Sequence, residues 1–161
     1  MEIDKIKEIE TRIGYSFTNK DILIQAITTK SFAKEENDHK RPCKSQEDFR
    51  THGDAILKEV LIDLLKEYGY ETPQQITETK SQLENGVKLA EIFSAFKILP
   101  DHFQKRSGEG ISLPLCAETF ESLIYAIYFD MSTTTNEGNA KKEIKRYITR
   151  LFEPHINNLK Q

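Results

Sequence analysis

Apolar residues return along the chain at intervals of three and four, while strict apolar–polar alternation is scarce, a pattern that predicts helices rather than strands. Ile3, Ile6, Ile9 and Ile13 form one stripe and Gly14 is a fitting stop, so the spacing predicts a first helix from about residue 3 to residue 13. Asn19 or Lys20 opens a second, with Ile22, Leu23, Ala26 and Ile27 inward. Residues 34–46, KEENDHKRPCKSQ, are polar, contain Pro42 and read as a loop. A long helix is expected from Ser45–Glu47 to about Tyr68, apolar at Phe49, Ile56, Leu57, Val60, Leu61, Leu64 and Leu65, and ended by Gly69. Pro73 opens a short helix and another is expected near Thr77–Lys80, with Asn85-Gly86 separating it from the apolar set Val87 to Ile98, which Pro100 closes. Residues 105–114 and 131–139 read as loops around the strongest apolar segment, LCAETFESLIYAIYFD, residues 115–130. A last helix spans about Ala140 to Phe152, before Pro154. The class is all-α.

Composition narrows the picture without changing it. The 161 residues fit one domain, taken as 1–161, with no internal repeat or low-complexity tract. With 37% hydrophobic and 30% charged residues the chain reads as a soluble globular protein. No apolar run approaches the roughly 18 residues that span a bilayer, and the charged N-terminus lacks the apolar core of a signal peptide, so a cytoplasmic protein with no membrane partner is expected. Cys43 and Cys116 are far apart and read as free thiols; the four histidines have no partner at zinc-ligand spacing. A net charge of −3 argues against a surface that grips nucleic acid everywhere, though a local basic groove remains compatible with it. The basic stretch KKEIKRYITR, with Lys141, Lys142, Lys145 and Arg146, is one place where phosphates could be met, or simply a solvated face.

Carboxylates inside apolar helices are costly unless something pairs with them. Asp54 lies in THGDAIL, and Glu118 and Glu121 lie in AETFESLI, three apart and therefore on one helix face. Glu47 and Asp54, seven apart, also share a face. Two helices offering acids in this way can build an oxygen-rich cage for Mg²⁺ or Mn²⁺, and Gly53 would let the helices approach closely beside it. Each acid also has an ordinary reading: Glu118 as a partner for its helix dipole, Glu121 as a lysine's ion pair, and Asp54 as the partner of Arg50, four residues before it.

Four blocks in order, IGYSFTNKDILIQAITTKSFAKEEN, EDFRTHGDAIL, ITETKSQLENGVKLAEI and LPLCAETFESLIYAIYFD, resemble the ribonuclease III catalytic domain over about residues 5–152. The family's forms are LGYxFxxxxLLxxALTHxSYAxEN, NERLEFLGDAVL, LSKLRAxLVNxxxLAxIA and LADxFEALIGAIYLD. The resemblance implies an all-helical homodimer that cleaves double-stranded RNA in RNA processing, using Mg²⁺, for which Mn²⁺ can substitute, to activate water against the phosphodiester. It assigns the metal to Asp54, Glu118, Glu121 and Glu47, with Asp54 and Glu121 as the catalytic pair, and makes Lys80, Arg50 and Arg106 candidate RNA contacts. No double-stranded-RNA-binding domain follows before Gln161, which implies the family's short form.

Departures qualify the match: Glu118 is one methylene longer than the family's Asp, Thr29 replaces a His, and two others bear on the site and the dimer. Arg50 stands where the family has a ligand acid, and Thr51 where it has an aromatic at the dimer contact, whose space Phe49 would partly fill. A guanidinium about 5 Å from a divalent ion opposes it by several kcal/mol at an effective dielectric of 20, so a metal-bound site implies Arg50 turned aside. The alternative implied by Arg50 is a catalytically impaired ribonuclease III-like dimer acting as an RNA- or protein-binding module. The apolar residues on more than one face of the 47–65 helix fit a dimer in either case.

Overall fold

In the computed structural model, which describes residues 1–160, eight α-helices follow one another: α1 (Ile3–Ile13), α2 (Lys20–Ala26), α3 (Lys30–Asp38), α4 (Glu47–Glu67), α5 (Pro73–Glu84), α6 (Gly86–Ser94), α7 (Leu113–Thr134) and α8 (Glu137–Leu159). A short 3₁₀ turn, Pro100–His102, lies between α6 and α7. The all-α class expected from the spacing holds.

Local chemistry sets most boundaries. Gly14 adopts φ 74° and donates its N–H to the Glu10 carbonyl at 2.9 Å, closing α1. Side-chain oxygens of Asn19, Thr29, Thr72, Asn85, Ser112 and Asn136 cap the helices that follow them. Asn85 ends α5 and caps α6, accepting from the Lys88 N–H at 2.9 Å, so the expected break at Asn85-Gly86 is present.

Several expectations are corrected. Residues 34–38 belong to α3, because the Thr29 cap starts a mostly polar helix in which Ala33 is the one buried residue. The two short helices expected after Pro73 are one: Pro73 sits at the first helical position, where its missing N–H costs nothing, and Thr72 and Gln75 form a reciprocal capping box. Helix α6 stops at Ser94 rather than near Pro100, and Val87 is exposed; Lys97, at φ 54°, turns the chain away first. Helix α7 runs to Thr134 and α8 begins at Glu137, so little of 131–139 is loop. Helix α8 also passes through Pro154 to Leu159, with Phe152 and Ile156 buried on either side of the proline. A proline inside a helix costs about 3 kcal/mol; burying two large side chains offsets a cost of that size.

Helix α7 is the axis of the core. Phe120, Leu123, Ile124, Ala126 and Ile127 are at most 1% exposed, and α2, α4, α6 and α8 pack around the helix that carries them. Asp130, fully buried near its end, accepts hydrogen bonds from the Tyr15 hydroxyl (2.8 Å) and from the backbone N–H groups of Thr18 (2.8 Å) and Asn19 (3.0 Å). One carboxylate thereby fixes the α1–α2 connection to α7, the arrangement a buried charge requires.

Candidate active site

The helices that carry the acids, α4 and α7, cross in backbone contact. A Cβ built on Gly53 would fall 1.8 Å from the Glu121 carbonyl oxygen, so only glycine permits this approach. The crossing sets Asp54, the next residue on α4, beside Glu121 on α7. Burial pushes the Glu121 carboxyl up to about 7; the neighbouring Asp54 carboxylate adds to the rise, and the Arg50 guanidinium opposes it. Two carboxyl groups thus meet at the junction, and one of them is held partly protonated near neutral pH.

The remaining candidates have other partners. Glu118 Oε1 receives a hydrogen bond from Arg50 Nη1 at 2.9 Å, with both side chains about two-fifths exposed. Arg50 therefore does not pair with Asp54 along its own helix, nor is it turned aside; it reaches across to α7. Asp54 is instead bonded by Lys58 at 2.9 Å, one turn further along α4, and this hydrogen bond raises the lysine pKa, with Glu84 and Glu121 contributing. Glu47 is paired with Lys30 at 3.0 Å near the start of α4. Among the described residues, no group of three or more His, Cys, Asp or Glu side chains is arranged to hold a metal ion.

The candidate RNA contacts are also ion-paired. Lys80 bonds Glu84 at 2.8 Å with both side chains less than one-fifth exposed, and Arg106 lies 3.9 Å from Glu35. On α8, Lys141 faces Glu137, Arg146 bonds Glu143 and Lys145 bonds Glu67. Glu84, which the sequence did not single out, stands out here: its Oε2 is buried without a hydrogen-bond partner. Lys58 was equally unmarked, although its place four residues after Asp54 was the available signal.

An aromatic surface lies close by. His52 stacks on Tyr125 (4.7 Å between centroids), Tyr125 on Phe129 (5.7 Å), and Phe49 meets Tyr125 edge-on at 5.1 Å. Phe49 is buried within its own chain rather than projecting outward, whereas Thr51 is exposed and donates its hydroxyl to the Glu47 carbonyl at 3.1 Å. No helix of the described residues is long and apolar enough to cross a membrane.

No protein-family model matches the chain. Against curated proteins, it is 29% identical over 154 residues to ribonuclease 3 of Syntrophotalea carbinolica, covering 92% of this chain and 62% of that one. It is 31% identical over 136 residues to ribonuclease 3 of Azotobacter vinelandii, covering 81% of this chain and 55% of the relative. The chain thus spans roughly three-fifths of the length of these relatives. The solved nuclease domain of ribonuclease III from Campylobacter jejuni superposes with a TM-score of 0.73 at 23% identity, covering 92% of this chain and 99% of that one. The chain is therefore similar to ribonuclease III enzymes along most of its length, and its fold is that of their nuclease domain.

Proposed function

We propose that this chain is an endoribonuclease that cleaves double-stranded RNA with a divalent cation, Mg²⁺ or Mn²⁺, held first by Asp54 and Glu121. The observation that carries the reading is the meeting of these two carboxyl groups where α4 and α7 touch at Gly53. The raised Glu121 supports a cation site: two acids lie side by side with one of them partly shielded from water, and a bound divalent ion would relieve the repulsion. The donor set fits Mg²⁺, a hard cation that takes carboxylate oxygens, often only one or two from the protein, and keeps several waters. Such an ion supplies an activated water and stabilises charge on the phosphate oxygens.

The chain's own groups do the rest. Asp54 and Glu121 are carried by two helices rather than by a loop, the kind of support that positioned chemistry calls for. Glu118, one turn before Glu121, extends the acidic face and carries Arg50 with it. Arg50, about two-fifths exposed, has guanidinium donors that fit a phosphate oxygen. A duplex would be engaged through its backbone and 2′-hydroxyls rather than its bases. The aromatic surface around Tyr125 and Phe129 supports a homodimer, in which two such sites would serve the two strands.

The test is incubation of purified protein with a defined RNA duplex and Mg²⁺, wild type beside Asp54→Asn and Glu121→Gln. Wild type is expected to cut, and each variant to lose at least a hundredfold in rate while remaining folded by circular dichroism. Intact RNA after incubation with micromolar wild type would overturn the reading, in favour of a noncatalytic RNA- or protein-binding dimer.

A further inference from the structure

The cations at this junction come from the chain itself. Lys58 holds Asp54 at 2.9 Å and Arg50 holds Glu118 at 2.9 Å, and both belong to α4, the helix that also supplies Asp54. A third pair, Lys80 with Glu84 at 2.8 Å, leaves Glu84 Oε2 buried and unpartnered. Each cation bonds through one contact to a side chain that is at least two-fifths exposed in the first two pairs, so either can leave without unfolding a helix. The acids that would take a divalent ion are therefore neutralised in advance, and an incoming ion competes with an ammonium at Asp54 and a guanidinium at Glu118.

We infer that Lys58 and Arg50 are resident counter-cations that a divalent ion must displace from Asp54 and Glu118, making the metal affinity of the free protein weak by construction. This rests on the reading of Asp54 and Glu121 as cation ligands. Displacement turns both cations loose beside the site, where phosphate is the natural next partner for a freed guanidinium and ammonium. Metal and polyanion then assist each other, because whatever draws Lys58 and Arg50 away favours the ion, and the coupling is reciprocal by linkage.

Mn²⁺ binding to the free protein, followed by electron paramagnetic resonance of the unbound ion, tests this without any turnover. Lys58→Met and Arg50→Gln are each expected to tighten Mn²⁺ at least tenfold, about 1.4 kcal/mol. Lys58→Arg, which keeps the charge, should stay as weak as wild type. Lys66→Met, an equal charge change at an exposed position two turns along the same helix, should leave binding unchanged. Glu121→Gln should weaken Mn²⁺ in every background. Measurable binding that is the same in wild type, Lys58→Met and Arg50→Gln would overturn the inference while leaving the cation site standing. Tightening by Lys66→Met equal to that by Lys58→Met would also overturn it, as a general charge effect. No binding by any variant at millimolar Mn²⁺ would remove both the inference and the site.

Discussion

Replacing Gly53 by alanine adds a single methyl at the point where α4 and α7 touch. That methyl would lie 1.8 Å from the Glu121 carbonyl oxygen and 2.6 Å from its carbonyl carbon. Ordinary contact begins near 3.4 Å, so the helices must part by roughly 1.6 Å at the crossing. The obstruction is backbone, which cannot rotate out of the way as a side-chain tip can. Alanine improves helix propensity by about 1 kcal/mol, but overpacking a tight contact costs about 1–3 kcal/mol and more where backbone must move. Because backbone must move here, the cost lies at or above the top of that range, so the steric term wins and a net loss of about 2 kcal/mol is expected, or roughly 4–8 °C in melting temperature for a domain of this size. Gly86→Ala is the internal control: an added Cβ there meets nothing within 4 Å, so the change should be neutral or stabilising by up to about 1 kcal/mol. Urea denaturation of both variants, analysed for midpoint and slope, measures the difference. A Gly53→Ala protein as stable as wild type would refute the claim that glycine is needed for the crossing, and with it the account of how Asp54 is brought to Glu121.

Two further outcomes follow from a partly buried carboxyl group and a fully buried one. Glu121 has a folded-state pKa near 7, above its ordinary 4.5, so the folded protein binds the extra proton and stability falls as pH rises from about 4.5 to about 7. Discounted for the side chain's partial exposure, the loss is about 1–2 kcal/mol. In metal-free buffer, Glu121→Gln should therefore exceed wild type in stability by that amount at pH 8 and match it near pH 4.5; a difference independent of pH would contradict the assignment. Asp130→Asn keeps the shape but turns an amide NH₂ toward donors from Tyr15, Thr18 or Asn19, and should cost about 2–4 kcal/mol in a thermal or urea melt. A loss below about 0.5 kcal/mol would show that the carboxylate does not anchor the α1–α2 connection.

The helices themselves were legible because their signals are local. The stripe ending at Gly14, the helix start at Asn19 and the Asn85-Gly86 break act within a few residues, and they sit where the spacing placed them. Most of the differences share one cause: a proline or a polar run reads locally as a break where the chain stays helical, whereas α6 stops before the proline that would have closed it. Pro73 starts a helix as expected, but that helix runs unbroken through Thr77–Lys80 to Glu84, and Pro154 lies inside a helix because Phe152 and Ile156 are buried around it. The polar run 34–38 is helical from its Thr29 cap.

What the sequence determined by itself was the all-helical class and the acids on two helix faces, since a period of 3.6 residues fixes which side chains share a face. Which of those acids meet was decided only by the crossing of α4 and α7. Glycine allows that contact, but the partner atom is supplied by a residue 68 positions away. The same holds for the cations. Spacing offered Arg50 and Lys58 equally to Asp54, one turn on either side; the tertiary fold brought Glu118 to Arg50 and left Asp54 to Lys58. Electrostatic pairing depends on distance in space, and a helix's own periodicity can state only half of that distance.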